Sequence, residues 1–222
     1  MKTTSLRKFL KRIEEEVKHR EKVRQEIQAS MRRAIRLSKQ GILLIHEGNL
    51  ERAKDLIKEA SNILSALREE AEKNPEILHM GIVESAYQEY AEACIFLKLV
   101  EDGSFIDPKD IGVPSIPYVL GLADTIGELR RRALDSIRRG KPKLAEECLR
   151  IMETIYLELE GIDEAYFLIH GLRRKCDEAR RIIEATRGDI TMEIRRNVLE
   201  RSIKALERAL KEVSGGGEAK SS

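Results

Sequence analysis

The sequence has no tryptophan, and aromatic residues make up only 4% of its 222 positions. Any core must therefore be aliphatic, built from Leu, Ile, Val and Ala. Prolines number five and cysteines three, which excludes a Pro-rich linker and a disulfide scaffold. Cys94, Cys148 and Cys176 form no CxxC pair and sit among apolar residues, the pattern of buried free thiols in a reducing compartment. No stretch reaches the ~20 apolar residues that a membrane span requires. Lys2, Arg7, Lys8, Lys11 and Arg12 interrupt every apolar run near the N-terminus, so no secretory signal is expected. The expected address is cytoplasmic, with no membrane partner. An excess of one charge is also missing, with 41 Lys and Arg against 39 Asp and Glu. Nucleic-acid binders usually carry a stronger bias, so any basic surface must be local. No P-loop, dinucleotide fingerprint or Ser-His-Asp arrangement is present.

What the chain does have is charge, at 36%, and aliphatic residues in helical register. Leu6, Phe9, Leu10, Ile13 and Val17 recur at three- and four-residue steps, and Val23, Ile27, Met31, Ile35 and Ile42 continue the stripe. That predicts one long helix to about Ile45. Ala53 to Leu67 marks a second, ended at Lys73-Asn74-Pro75 because Pro removes a donor and clashes with the preceding turn. A third is expected from Glu76 to Val100. The Pro-rich stretch from Ile106 to Pro117 holds one short helical turn after Asp107-Pro108. Further helices are expected over Pro117 to Arg139, Lys143 to Leu159, Asp163 to Thr186 and, after a break at Arg187-Gly188-Asp189, Thr191 to Val213. Long helices with short connections imply an all-α, antiparallel bundle of about seven helices. Residues 1–213 read as one domain and 214–222 as a flexible tail.

Two segments carry acidic residues in apolar surroundings. Glu89 and Glu92 are three residues apart, and Asp124 and Glu128 are four apart, so each pair projects from one helix face. Carboxylates among core-like residues are costly unless paired or metal-bound. No Lys or Arg lies within a turn of Glu89 and Glu92. Four converging carboxylates would suit Mg²⁺ or Mn²⁺, which activates water and neutralises developing charge at a phosphodiester. Spacing alone leaves a second reading open, that of ordinary surface carboxylates on an acidic face.

The same segments resemble a known family. Tyr87-Gln88-Glu89-Tyr90-Ala91-Glu92-Ala93 is similar to the QEYxEA segment of translin-associated factor X, in the translin family. Tyr118-Val119-Leu120-Gly121-Leu122-Ala123-Asp124-Thr125-Ile126-Gly127-Glu128-Leu129 resembles the YLLGxADxxGEL segment of the same branch. Order and separation fit, and the resemblance runs from roughly Arg7 to Gly188. It implies a helical bundle assembling into a closed, often octameric shell that binds single-stranded RNA and DNA. It also implies a metal-dependent endoribonuclease site at Glu89, Glu92, Asp124 and Glu128, and leaves room for a second translin-family subunit. Two features depart from the pattern. Pro117 stands where the family tends to have an acidic residue, and Thr191 to Val213 extends beyond the family's usual end as an extra helix.

Basic residues cluster at Lys18-His19-Arg20 with Lys22 and Arg24, at Arg32-Arg33 with Arg36 and Lys39, at Arg130-Arg131-Arg132, and at Arg138-Arg139 with Lys141 and Lys143. Phosphate binding needs such clusters; Arg20, Arg24, Arg130 and Arg131 are the candidate nucleic-acid contacts. The alternative is a solvated face with intrahelical ion pairs, since Glu14 to Glu16, Glu21 and Glu26 are interspersed. Glu16-x-x-His19 and Glu76-x-x-His79 match one element of di-iron bundles. His19 lies in a charged run and His79 just after Pro75, which argues against that chemistry. The leading expectation is a Mg²⁺- or Mn²⁺-dependent endoribonuclease in a homo-oligomer, and the competing one a non-catalytic single-strand binder.

Overall fold

The computed structural model describes residues 2–73 and 80–215, and every regular element among them is a helix. The order is α1 (Lys2–Glu47), α2 (Leu50–Lys73), α3 (Gly81–Asp102), α4 (Ser115–Arg138), α5 (Pro142–Glu160), α6 (Asp163–Leu168) and α7 (Leu172–Gly215). None of them is long and apolar enough to cross a membrane. The chain falls into two compact units. The first comprises residues 1–125 with 169–172, and the second residues 126–168 with 173–222.

In the first unit, α1 packs against both α2 and α3. Met31, Ala34, Ile42 and Ile45 of α1 are buried, as are Ala53, Ile57, Ala60 and Leu64 of α2. Their three- and four-residue steps are the helical stripe that apolar periodicity requires. The link between α1 and α2 is only Gly48 and Asn49. Gly48 adopts φ 82°, a left-handed value that costs glycine little and lets the helix close and reverse. Antiparallel pairing follows, and Arg33 of α1 meets Glu59 of α2 as an ion pair. Lys54 of α2 pairs with Glu101 of α3 at 2.7 Å. α3 is the most buried helix here, with Ala91, Ala93, Ile95 and Phe96 fully covered. The Phe96 ring lies 4.9 Å from that of His46.

In the second unit, Ile126, Leu129 and Ala133 of α4 are buried, with Ala145, Cys148, Met152 and Ile155 of α5 and Cys176, Ala179 and Ile183 of α7. Pro142 opens α5 at a first-turn position where its missing N–H is harmless. Arg187 of α7 bridges to Glu153 of α5 at 2.8 Å.

Several expected boundaries move. α3 starts at Gly81, since Met80 is extended (ψ 122°) and its carbonyl accepts from Val83 and Glu84. The expected start at Glu76, the Asn74-Pro75 stop and the Glu76-x-x-His79 element lie outside the described residues. The segment after Asp107-Pro108 is a hydrogen-bonded turn, not a helix; Val113 N–H donates to the Pro108 carbonyl and Gly112 takes φ 61°. Pro117 falls inside the first turn of α4, so it leaves the start of that helix intact.

The largest correction concerns the C-terminal third. The break falls at residues 169–171, where Gly171 has φ 86°. At Arg187-Gly188-Asp189 there is none, and α7 runs unbroken to Gly215. Arg187 holds Glu153 and Glu184, Asp189 holds Arg130, and Thr191 Oγ1 donates to the Arg187 carbonyl. These contacts keep the backbone helical through Gly188, whose intrinsic cost is only about 1 kcal/mol. Thr191 to Val213 is thus the continuation of α7. The expected tail, from residue 216 onward, lies outside the described residues.

Candidate metal and nucleic-acid site

Gly121 brings α3 and α4 together. A Cβ at Gly121 would stand 2.6 Å from the Gln88 carbonyl oxygen and 3.0 Å from both the Ala91 Cβ and the Glu92 nitrogen. Only a residue without a side chain permits backbones this close. The fully buried Ala91 on α3 keeps the opposing surface equally flat. At this crossing the Gln88 amide donates to Asp124 Oδ2 at 2.6 Å. The two acidic segments, 32 residues apart in sequence between Glu92 and Asp124, therefore meet in space.

α1 contributes the third wall. Lys39 Nζ lies 3.0 Å from Glu89 Oε1. The hydrogen bond to Glu89 and that carboxylate's charge raise the Lys39 pKa above the usual lysine value, with smaller contributions from the charges of Glu92 and Asp124. Glu89 is thus bonded to Lys39 of α1, and Asp124 to Gln88 of α3. Glu89, Glu92 and Asp124 are half-buried rather than solvated. Glu128 is four residues further along α4, in the second unit, with Arg131 at 3.9 Å.

The donor set is all carboxylate oxygen, which suits a hard divalent cation and not a soft one. In the arrangement described, no three Asp, Glu, His or Cys side chains among the described residues stand close enough to hold a metal ion. Glu89 is engaged by Lys39 and Asp124 by Gln88. Glu89 and Glu92 lie on α3 and Asp124 and Glu128 on α4; sequence reasoning missed Gln88 and placed Lys39 only in a basic cluster, without its Glu89 partner. The signal for Gln88 was its position one residue before Glu89. Lys39 left none, because its partners lie 50 and more residues away.

The basic candidates separate. Arg20 and Arg24 are exposed on α1, with Glu16 at 3.0 Å and Glu21 at 3.9 Å. Such pairs stabilise by only about 0.3–0.5 kcal/mol and yield readily to a phosphate. Arg131 is half exposed beside Glu128. Arg130 differs: its guanidinium donates to the Ile182 carbonyl at 3.2 Å and Thr186 Oγ1 at 2.8 Å, and pairs with Asp189 at 3.3 Å. This arginine ties α4 to α7, so a phosphate contact would have to break that set. Exposed Arg32 and Arg36 share a face of α1 with Lys39, at four- and seven-residue steps from Arg32. The bordering tyrosines pack: Tyr87 and Tyr90 are 3% and 4% exposed.

A sequence model of the Translin family matches residues 2–213, which takes in the segment expected to lie beyond the family's end. An uncharacterized protein of Methanocaldococcus jannaschii, MJ0175, is 31% identical over 191 residues, covering 85% of this chain and 84% of its own length. Among solved structures, that of AfC3PO in complex with duplex RNA is similar at TM-score 0.76 and 31% identity, over 85% of this chain and 98% of that one. The structure of apo-NeC3PO is similar at TM-score 0.75 and 26% identity, over 83% and 96%.

Proposed function

Because the chain belongs to the translin family, we propose that it is a metal-dependent endoribonuclease of the translin-associated factor X type, working inside a homo-oligomer. The observation that supports this reading is the close approach of α3 and α4 at Gly121, which brings the helix of Glu89 and Glu92 against that of Asp124 and bonds Gln88 to Asp124. A binding surface for polyanionic RNA has no use for half-buried carboxylates on facing helices, whereas a cation site needs them.

Glu89, Glu92 and Asp124 would hold Mg²⁺ or Mn²⁺, and the family resemblance adds Glu128. The cation, when bound, supplies Lewis-acid activation of water and charge neutralisation at the phosphate. The protein's own groups do the rest. The Gln88 amide fixes the Asp124 carboxylate by its 2.6 Å bond. Arg32 and Arg36, exposed on the Lys39 face of α1, would bind the RNA backbone leading to the acids, with Arg20 and Arg24 further along that helix. One of the four carboxylates, Glu89, Glu92, Asp124 or Glu128, would serve as the general base.

AfC3PO has been solved with duplex RNA, which brings duplexes into the candidate substrate set beside single-stranded RNA and single-stranded DNA. Assembly is supported by apolar side chains left in solvent: Leu6, Leu10, Ile13 and Val17 on α1 are 51–59% exposed, and Leu199, Leu206 and Leu210 on α7 are 60–62% exposed. An octamer and a co-assembling second family member are extensions of the same proposal, as is a cytoplasmic address.

A second reading has one observation in its favour. The Lys39 and Gln88 bonds give the carboxylates structural partners, as a non-catalytic binder would need. Asp124→Asn in the assembled protein separates the two. The nuclease reading expects RNA binding retained and Mn²⁺-dependent cleavage lost; cleavage at the unaltered rate contradicts it.

A further inference from the structure

The start of α1 adds nothing to the core of its unit. Every side chain from Leu6 to Lys22 is exposed, and the first buried one among the described residues is Ile27. Yet this part carries a stripe of large apolar side chains, Leu6, Phe9, Leu10, Ile13 and Val17. Residues 2–13 hold five basic side chains and no acidic one. Arg7 and Arg12 border the stripe on its two sides, three residues from Leu10 and from Phe9. The α5–α6 end of the second unit is the counterpart. Leu157, Phe167 and Leu168 are 65%, 75% and 80% exposed. Residues 154–169 hold four acidic side chains and no Lys or Arg. Glu160, Glu164, Tyr166 and Phe167 line an open recess of about 540 Å³. Carboxylates beside aromatic rings suit the head of an arginine or lysine, to which the ring faces add cation–π attraction.

We infer that the start of α1 in one copy of the chain docks on the Leu157, Phe167 and Leu168 patch of a second copy. The inference rests on the homo-oligomer part of the reading above and is independent of the metal site. Both faces are exposed within one chain, and each is apolar at its centre with charge at its edge, basic on α1 and acidic on α5 and α6. The apolar stripe of α1 covers the patch, as large exposed apolar surfaces favour. Arg7 or Arg12 enters the recess toward Glu160 and Glu164. RNA would match the basic edge of α1 and leave its apolar stripe in water. Two different surfaces meet in this contact, so each copy gives one and receives one, and copies can link into a closed ring.

Light scattering of the full-length protein, with circular dichroism as the check on folding, tests the contact. Arg7→Glu/Arg12→Glu should lower the subunit number, and so should Glu160→Arg/Glu164→Arg, with helix content unchanged. The protein carrying all four changes should regain the unaltered mass, because the charges are again opposite across the contact. Leu10→Gln/Ile13→Gln, at exposed positions, should lower the mass as well and serves where a charge reversal does not fold. An unchanged mass in both reversal variants overturns the contact and leaves the homo-oligomer reading standing on other surfaces. A lowered mass that the fourfold change does not restore overturns the pairing of these two surfaces. Loss of RNA binding at unchanged mass assigns the start of α1 to RNA and overturns the contact. If the unaltered protein is itself monomeric, the contact and the homo-oligomer reading both fall.

Discussion

A methyl group at Gly121 would have to push against the Gln88 carbonyl, a backbone atom that cannot swing aside. Gly121→Ala should therefore destabilise the protein by about 1–3 kcal/mol, the range for overpacking, and lengthen the Gln88–Asp124 bond. Chemical denaturation measures the first effect; an unchanged midpoint would contradict the close crossing. The glycine was visible in the sequence, but nothing local to it told that a helix 30 residues earlier lay against it. The cysteines were legible, since apolar neighbours bury them, and all three are buried and free. Burial pushes the Cys94 thiol from 9.0 up to about 12 and the Cys148 thiol up to about 11. Raised values mean both stay protonated in the folded chain while the unfolded chain ionises near 9.0. Stability from these thiols is complete below that pH and is lost as pH rises through the window toward 11 and 12. At pH 8 the native protein should release no colour with a thiol-disulfide reagent and should react fully in guanidinium. Prompt reaction in the native state would contradict the burial.

At the scale of the helices, periodicity read the long elements well, because a stripe of aliphatic residues on one face is a local signal. Breaks were read less well. Gly171 lies between His170 and Leu172 and Gly188 between Arg187 and Asp189, yet only Gly171 takes a left-handed φ, 86°. What keeps Gly188 helical is tertiary: the bonds of Arg187 to Glu153 and of Asp189 to Arg130. No atom lies within 4 Å of a Cβ built on Gly188. Gly188→Ala should thus raise stability by up to about 1 kcal/mol through helix propensity, read as a higher melting temperature. A lower one would place a non-helical backbone there. The Arg130 triplet shows the same limit. Its composition suggested a phosphate clamp, while the fold assigns the first arginine to α7.

For the molecule as a whole, the apolar faces that periodicity found are not all core. Leu199, Ile203, Leu206 and Leu210 recur at four- and three-residue steps along α7 and remain 48–62% exposed. Sequence pattern cannot distinguish a face that packs within the chain from one that packs against another chain. Leu199→Lys with Leu206→Lys should lower the subunit number seen by light scattering and leave helix content intact; an unchanged mass would remove α7 from the assembly surface. The central proposal is that Glu89, Glu92, Asp124 and Glu128 make this translin-family protein a metal-dependent nuclease. End-labelled RNA incubated with the assembled protein in Mn²⁺, in chelator, and in chelator followed by excess Mn²⁺ tests it most directly, beside Glu89→Gln/Glu92→Gln. The account predicts internal cleavage that stops with chelator, returns with Mn²⁺ and is absent from the folded double variant. Binding without cleavage in every condition, or cleavage that survives in the variant, would contradict it.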